Sequence, residues 1–473
     1  MSIPEYDLVI IGAGAGGLIA ADFAHQLGAT VALIEKERIG GDCTWTGCVP
    51  SKSLVKVANV AHLVRTAARY GLTAAAPAVD MAGVRAYLRD TIEHIYAPTA
   101  PEALRAKGLV VHLGAARFID PHTLEAGEMR LRARRVLICT GAAPRRPDLP
   151  GLNQIPYHTY QDIFDNTELP ERLLVVGGGP VGCEIAQCYR RLGAQVVIIA
   201  KRLIPRVEPV AAQRLAQVFA NEGIEHCAAR AEAMSRDGGY IRVRTAAGEV
   251  TGDRLLLAVG RTPRVEGLGL AAAGVRHGQR GIEVDPYLRT SARHIYAAGD
   301  VLGGAQFSHL AGWQAFQAVR NALLPGHARG LPEAVPEITF TVPEVAHVGF
   351  TEEAARARFG AQVQASSMEL ARVDRAVSED DTIGLVKLIA HRNGRVLGAT
   401  IVGERAGESL AEVGLALSTQ MTLSALAASI HPYPTYNSAI QLLATQMAIE
   451  RRLTGLGGRV LRRLSRMMLN RRA

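Results

Sequence analysis

An apolar strand, a glycine-rich turn and a helical run occur twice along this chain, at Tyr6–Leu27 and again at Leu173–Leu192. The first turn reads Val9-Ile10-Ile11-Gly12-Ala13-Gly14-Ala15-Gly16-Gly17, and the second Val175-Val176-Gly177-Gly178-Gly179-Pro180-Val181-Gly182. Each follows β-type residues and precedes an Ala- or Ile-rich stretch, the context in which a dinucleotide fingerprint has meaning. There the glycines allow a tight turn, close approach of backbone to a pyrophosphate, and packing of helix on strand, with the helix N-terminus facing the phosphates. One such turn is weak evidence. Two in phase with strand and helix predict an α/β chain with two Rossmann-like nucleotide-binding domains.

The 473 residues are enough for roughly two to four domains. A composition 48% hydrophobic and 21% charged is that of a folded chain, which excludes disorder and collagen. Six Cys in this length do not make a disulfide scaffold. The start Ser2-Ile3-Pro4-Glu5-Tyr6 lacks the basic and apolar regions of a secretion signal, so a cytoplasmic location is expected. No apolar run reaches the ~18 residues that span a bilayer. The formal charge is +9, but residues 451–473 hold eight Arg and no acid, so residues 1–450 carry only +1. No nucleic-acid partner is expected for the body.

Two features identify the nucleotides. In such folds an acid about 20 residues past the turn accepts ribose hydroxyls. Glu35, 18 residues after Gly17 at the end of Val31–Ile34, fits an adenosine with a free 2′-hydroxyl, as in FAD or NAD. The same count from Gly182 reaches Ala200, followed by Lys201 and Arg202. Cations in place of the acid pair with a 2′-phosphate, which predicts NADPH. The other reading of Lys201 and Arg202 is two solvated loop cations.

Beyond the first turn, Cys43 and Cys48 lie near a predicted helix start in Gly40-Gly41-Asp42-Cys43-Thr44-Trp45-Thr46-Gly47-Cys48-Val49-Pro50-Ser51-Lys52. A nearby cation and a helix dipole lower a thiol pKa, so the pair is a candidate redox switch. Cys183 and Cys188 share the spacing, but within a helix they point about 140° apart. They, with Cys139 and Cys227, are read as packing residues. No resident metal site is expected. From about Pro336 the pattern changes to alternating strands, Leu385–Ile389 and Val396–Val402, then the helix Glu408–Ala416, a third, α+β unit.

The cysteine loop, both glycine turns, Cys139-Thr140-Gly141, Ala258-Val259-Gly260-Arg261-Thr262-Pro263 and Ala298-Gly299-Asp300 together resemble the class I FAD-dependent pyridine nucleotide-disulfide oxidoreductases, over about residues 5–450. The resemblance implies a homodimer with an FAD-binding domain in two parts (1–150 and 281–335), an NAD(P)H-binding domain (151–280) and a C-terminal dimerisation domain (336–450); residues 451–473, beyond the resemblance, are read as a basic amphipathic tail. It implies that Gly12, Gly14, Gly17 and Glu35 hold the ADP part of FAD, that Thr140 and Gly141 lie near its phosphates, and that Asp300 binds its ribityl chain. Gly177, Gly179 and Gly182 would hold the pyridine nucleotide. Cys48 would touch the flavin, Cys43 would exchange with substrate, and Lys52 would sit by flavin N5, paired with Glu184. Hydride would pass from NADPH to flavin, electrons would open the Cys43–Cys48 disulfide, and the dithiol would reduce the acceptor.

The sequence also departs from the family. Disulfide-reducing members carry His-Pro-Thr and a following Glu as an acid/base pair across the dimer. Here, in Ile430-His431-Pro432-Tyr433-Pro434-Thr435-Tyr436-Asn437-Ser438, the His position holds Tyr433 and the Glu position Ser438. A Tyr near pKa 10 is a poor neutral-pH base. Mercuric reductase, by resemblance, carries Pro-Tyr-x-Thr here too, and a soft metal ion held by two thiolates needs no such proton. This places the chain in a mercuric-reductase-like branch, although that enzyme's C-terminal cysteine pair is missing, since nothing after Cys227 is Cys. The expected activity is NADPH-driven reduction of a disulfide or a thiophilic metal ion. The alternatives are a dihydrolipoamide dehydrogenase-like enzyme and a membrane-associated flavin reductase of quinones. His431 is read as structural. Trp45 either narrows access to Cys43 or packs. The tail places Val460, Leu464, Met467 and Met468 at helical spacing between Arg, which fits either peripheral membrane contact or packing on the dimer.

Overall fold

The computed structural model describes residues 3–453 and 456–470. Arg471 and Arg472, part of the predicted tail, lie outside the described residues. The chain divides into two compact units, one of Met1–Gly177, Cys188–Ile199 and Ala229–Pro332, the other of Gly178–Gln187, Ala200–Ala228 and Glu333–Ala473.

In the first unit, strands Val110–Leu113, Val31–Glu35, Glu5–Ile11, Met129–Ile138 and Ile295–Ala297 lie side by side in that order, all parallel. Leu8, Val9 and Ile10 are fully buried, as expected when both faces of a parallel sheet are covered. The pairings Ile11↔Ile34, Ile11↔Ile138 and Ala297↔Ile138 align the strand ends. Gly12, Glu35, Thr140 and Asp300 therefore gather along the C-terminal edge of one sheet, where open α/β sheets bind ligands. A second parallel set, Gln195–Ile199, Arg172–Val176 and Arg254–Leu257, carries the second glycine turn after Val176. These are the two Rossmann-like elements the sequence predicts.

Helix Ala15–Gln26 can leave the first strand closely only because Gly17 has no side chain. A Cβ there would stand 1.8 Å from the Gly12 carbonyl oxygen. The same helix packs on Ser308–Leu323 through stacked Phe23 and Phe316 rings, 4.3 Å between centroids.

In the second unit the sheet is antiparallel, with Glu337–Thr339, Glu344–Gly349, Val396–Gly403, Leu385–His391 and Val363–Glu369 as neighbours in that order. Val386, Leu388 and Ile401 bury against Leu410 and Val413 of helix Ala406–Ser418 and Leu443 and Met447 of helix Ser438–Leu453. This is the predicted α+β unit. Among the described residues, no helix is long and apolar enough to cross a membrane.

Gly17→Ala is expected to destabilise the chain by about 1–3 kcal/mol, measured as a lower denaturant midpoint together with lost flavin retention. An unchanged midpoint and yellow colour would contradict the packing of turn on helix.

Candidate active site

The redox loop is built on the first glycine turn. Gly40 donates its amide to the Ala13 carbonyl at 2.8 Å. Gly41 takes φ +57°, and a Cβ on it would come 2.9 Å from Gly14 Cα. Two backbones thus touch where any larger residue would separate them. The short helix Gly41–Trp45 carries Cys43, and the helix Cys48–Thr66 begins at Cys48 itself. Trp45 is held by its indole N–H donating to the Ile39 carbonyl at 2.8 Å, and its ring packs 4.9 Å from Tyr96 and under Arg38. Of the two readings of Trp45, the geometry is that of packing.

Cys43 and Cys48 are both free thiols in this structure, the reduced form of the pair. Their side chains are hydrogen-bonded, and the Cys48 sulfur also lies 3.3 Å from the Ser308 hydroxyl. The bond from the Cys43 thiol, then Ser308, then the charges of Lys52 and Arg261, outweigh burial and push the Cys48 pKa down to about 5. The helix N-terminus at Cys48 acts in the same direction. Cys43 is pushed the opposite way, because its proton is held by the hydrogen bond to Cys48, because it is half-buried, and because a thiolate stands beside it. The pair therefore carries one thiolate, on Cys48, at neutral pH. By contrast, burial raises Cys139 and Cys183 to about 12, and Cys188 is also buried, which fits the packing role read for all three. Cys227 is only half-buried.

Around the loop lies a network with no counterpart in the sequence expectations. Asp42 accepts from Tyr160 Oη at 2.8 Å and pairs with Arg264 at 3.5 Å. Arg261 stands 4.6 Å over the Tyr160 ring and pairs with Asp300 at 3.1 Å. Burial, against the pull of Arg261, raises the Asp300 pKa.

The residues fit an adenine dinucleotide. Glu35, buried at the strand end, accepts the Ala13 amide at 2.7 Å on one oxygen and the Glu37 amide at 2.8 Å on the other, so its carboxylate is fixed beside the glycine turn. Thr140 donates to the Arg264 carbonyl at 2.7 Å, and the backbone of Gly141 has open space where a Cβ would stand. Lys52, one turn beyond Cys48, donates to Ser51 at 3.3 Å.

In the other unit, Glu184 is buried and accepts the Phe340 amide at 2.9 Å. Ala200 opens the loop with Lys201 and Arg202, both exposed, and Ile204 anchors that loop by donating to the Gly178 carbonyl at 2.6 Å. Tyr433 is 75% exposed and donates to Asp374 at 2.6 Å, which raises its pKa. His431 has its side chain 6% exposed, with Nε2 2.9 Å from both oxygens of Glu412 and Nδ1 3.2 Å from the Ser429 carbonyl. Both ring nitrogens are engaged, which agrees with a structural role. Sequence reasoning did not foresee Glu412, Ser308 or Tyr160. No motif contains them: Ser308 and Tyr160 join partners in distant parts of the chain, and Glu412 reaches His431 from the preceding helix Ala406–Ser418. Arg261 and Asp42 did stand in quoted motifs, without a role.

Two family descriptions match the chain: "Pyridine nucleotide-disulphide oxidoreductase" over residues 6–322 and "Pyridine nucleotide-disulphide oxidoreductase, dimerisation domain" over residues 335–444. A mercuric reductase of Streptomyces lividans is 37% identical over 454 residues, covering 93% of this chain and 95% of that one. Among solved structures, LpdA from Mycobacterium tuberculosis superposes with a TM-score of 0.85 at 27% identity, over 94% of this chain and 100% of that one. The Cu(II) complex of the HOCl-induced flavoprotein disulfide reductase RclA from Escherichia coli superposes with a TM-score of 0.82 at 28% identity, over 92% and 98%.

Removing the donor in Cys43→Ala is expected to move the pH midpoint of Cys48 alkylation upward by about one to three units, toward that of an ordinary thiol. The reduced wild type should alkylate with a midpoint near 5, unreactive below it and reactive above it. Equal midpoints in the two proteins would contradict the hydrogen bond between the two thiols.

Proposed function

The chain belongs to the pyridine nucleotide-disulphide oxidoreductase family, and from that premise we propose that it uses NADPH to reduce a thiophilic metal ion at Cys43 and Cys48. It is an FAD-dependent oxidoreductase whose cofactors are FAD and NAD(P)H. The metal acceptor, the preference for NADPH and the residue roles are the proposal. Bound at the first turn, FAD supplies a two-electron relay between the nicotinamide and the sulfur pair.

The observation that carries the reading is the split ionisation of the cysteines. A soft divalent ion meets a ready thiolate on Cys48, and Cys43 loses its proton as it ligates. Two electrons from the sulfurs then reduce the ion to the neutral metal, a Cys43–Cys48 bond forms, and one proton is released. No leaving thiolate needs protonation, so a His base is dispensable. The engaged nitrogens of His431 support this, as do the mercuric reductase and the Cu(II) complex of a disulfide reductase among the similar proteins. Tyr433, a neutral hydroxyl whose acidity Asp374 weakens, serves to orient the ion and does not act as a base.

Within the proposal, Lys52 and Arg261 hold the thiolate, and Glu184 is kept as the partner of Lys52. Gly12, Gly14, Gly17, Glu35, Thr140, Gly141 and Asp300 bind FAD. Gly177, Gly179 and Gly182 bind the pyridine nucleotide, with Lys201 and Arg202 on its 2′-phosphate. The anchored loop supports that last assignment, since it presents both cations where an acid would repel phosphate. The domain division expected from the sequence is kept within the proposal, as is a cytoplasmic location, and the matched dimerisation domain supports a homodimer.

Hg(II)-dependent NADPH oxidation is expected in the wild type and should fall at least about 100-fold in Cys43→Ser and Cys48→Ser. Faster turnover with glutathione disulfide than with Hg(II), or full metal-dependent activity without Cys43, would refute the reading. Lys201→Glu with Arg202→Glu should raise KM for NADPH by about tenfold or more while leaving NADH unaffected. Equal effects on both nucleotides would remove the phosphate contact.

A further inference from the structure

Helix Leu456–Asn470 is not used by any part of the chemistry above. Val460, Leu464, Met467 and Met468 are 57%, 52%, 49% and 68% exposed. At about 100° per residue they share one arc of about 100°, while the exposed Arg462 and Arg466 lie on the opposite side with Leu469, and the exposed Arg463 flanks the stripe beside Met467. The apolar stripe is exposed in the chain, although the preceding helix Ser438–Leu453 buries Leu443 and Met447 in its own unit.

We propose that this helix lies flat on an anionic lipid surface, with the Val460–Leu464–Met467–Met468 stripe in the acyl boundary and the Arg side chains on lipid headgroups. Charge selects the partner. Residues 451–473 hold eight Arg and no acid, whereas the remaining 450 residues have a net charge of only +1. A second copy would bring the same cationic helix and, over its other 450 residues, a net charge of +1 with no acidic excess to receive it. Nucleic acid would satisfy the Arg but gives no reason for an apolar stripe of four residues. An interface that is anionic at its surface and apolar just beneath matches both faces at once. The proposal is independent of the acceptor's identity.

The test is cosedimentation of the full-length flavoprotein with phosphatidylglycerol-containing vesicles against pure phosphatidylcholine vesicles. Wild-type protein should bind the anionic vesicles at least about tenfold better, and the difference should shrink with added salt. Two variants, Leu464→Gln with Met467→Gln and Arg462→Gln with Arg463→Gln and Arg466→Gln, should each lose that binding about tenfold. Both should keep NADPH oxidation at the wild-type rate, which shows that they fold. The proposal fails if wild type ignores the anionic vesicles or binds neutral ones equally. It fails if the apolar variant still binds, which would make the contact purely electrostatic. A lower native mass of the apolar variant, with vesicle binding absent in wild type, would identify a second copy as the occupant. Binding to duplex DNA that both wild type and apolar variant retain, without vesicle binding, would identify nucleic acid.

Discussion

The site depends on one contact between backbones. The first glycine turn and the redox loop meet with no side chain between them, Gly40 bonded to Ala13 and Gly41 against Gly14. Because the turn is itself fixed by the Gly12–Gly17 approach and by the aligned ends of the parallel strands, the cysteine loop takes up the position of the sheet. Fixing it there needs no flexible side chain, so no rotamer entropy is lost, while the ordering of the glycine backbones is a cost the rest of the fold offsets. A nucleotide bound at the turn, as proposed, and a sulfur pair held by the loop would therefore be placed by a single element, the arrangement that catalytic geometry requires.

The electrostatics build on that frame. Cys48 opens a helix, has Lys52 one turn on, and has Arg261 and Ser308 brought to it from distant parts of the chain. Arg261 is in turn held by Asp300 and by the Tyr160 ring, and Tyr160 by Asp42 next to Cys43. Removing any one member leaves a charge in a partly dry place, so the members stabilise each other's positions. The outcome is an asymmetric dithiol, one sulfur ionised and the other holding its proton. That asymmetry suits an acceptor that bonds to sulfur directly better than one that needs a separate acid.

The strongest sequence signals were those made by neighbouring residues. Gly12 to Gly17, Glu35 at its fixed distance, Cys43 with Cys48, and Ala200 followed by Lys201 all lie within a short stretch, where strand and helix periodicity convert spacing into position. The absence of a His at Tyr433 was equally plain. What the sequence did not show were Ser308 against Cys48, separated by 260 residues, and Glu412 against His431. Ser and Glu are common, and nothing in their local pattern marks one as a partner.

The sequence alone determined the two nucleotide turns, the sulfur pair, the alternating C-terminal sheet and the concentration of charge in the tail. Each is a local pattern whose meaning is set by backbone geometry within one or two elements. Only the tertiary structure decided which sulfur is ionised, how Asp42 and Tyr160 connect to Arg261, that Trp45 packs, and that the apolar stripe of the tail helix is exposed in the chain. Several of these rest on contacts between residues far apart in the chain, such as Ser308 with Cys48 and Tyr160 with Asp42, and the others on the exact path of the local backbone. A pKa or an exposure is a property of surroundings, and surroundings exist only once the chain has closed on itself.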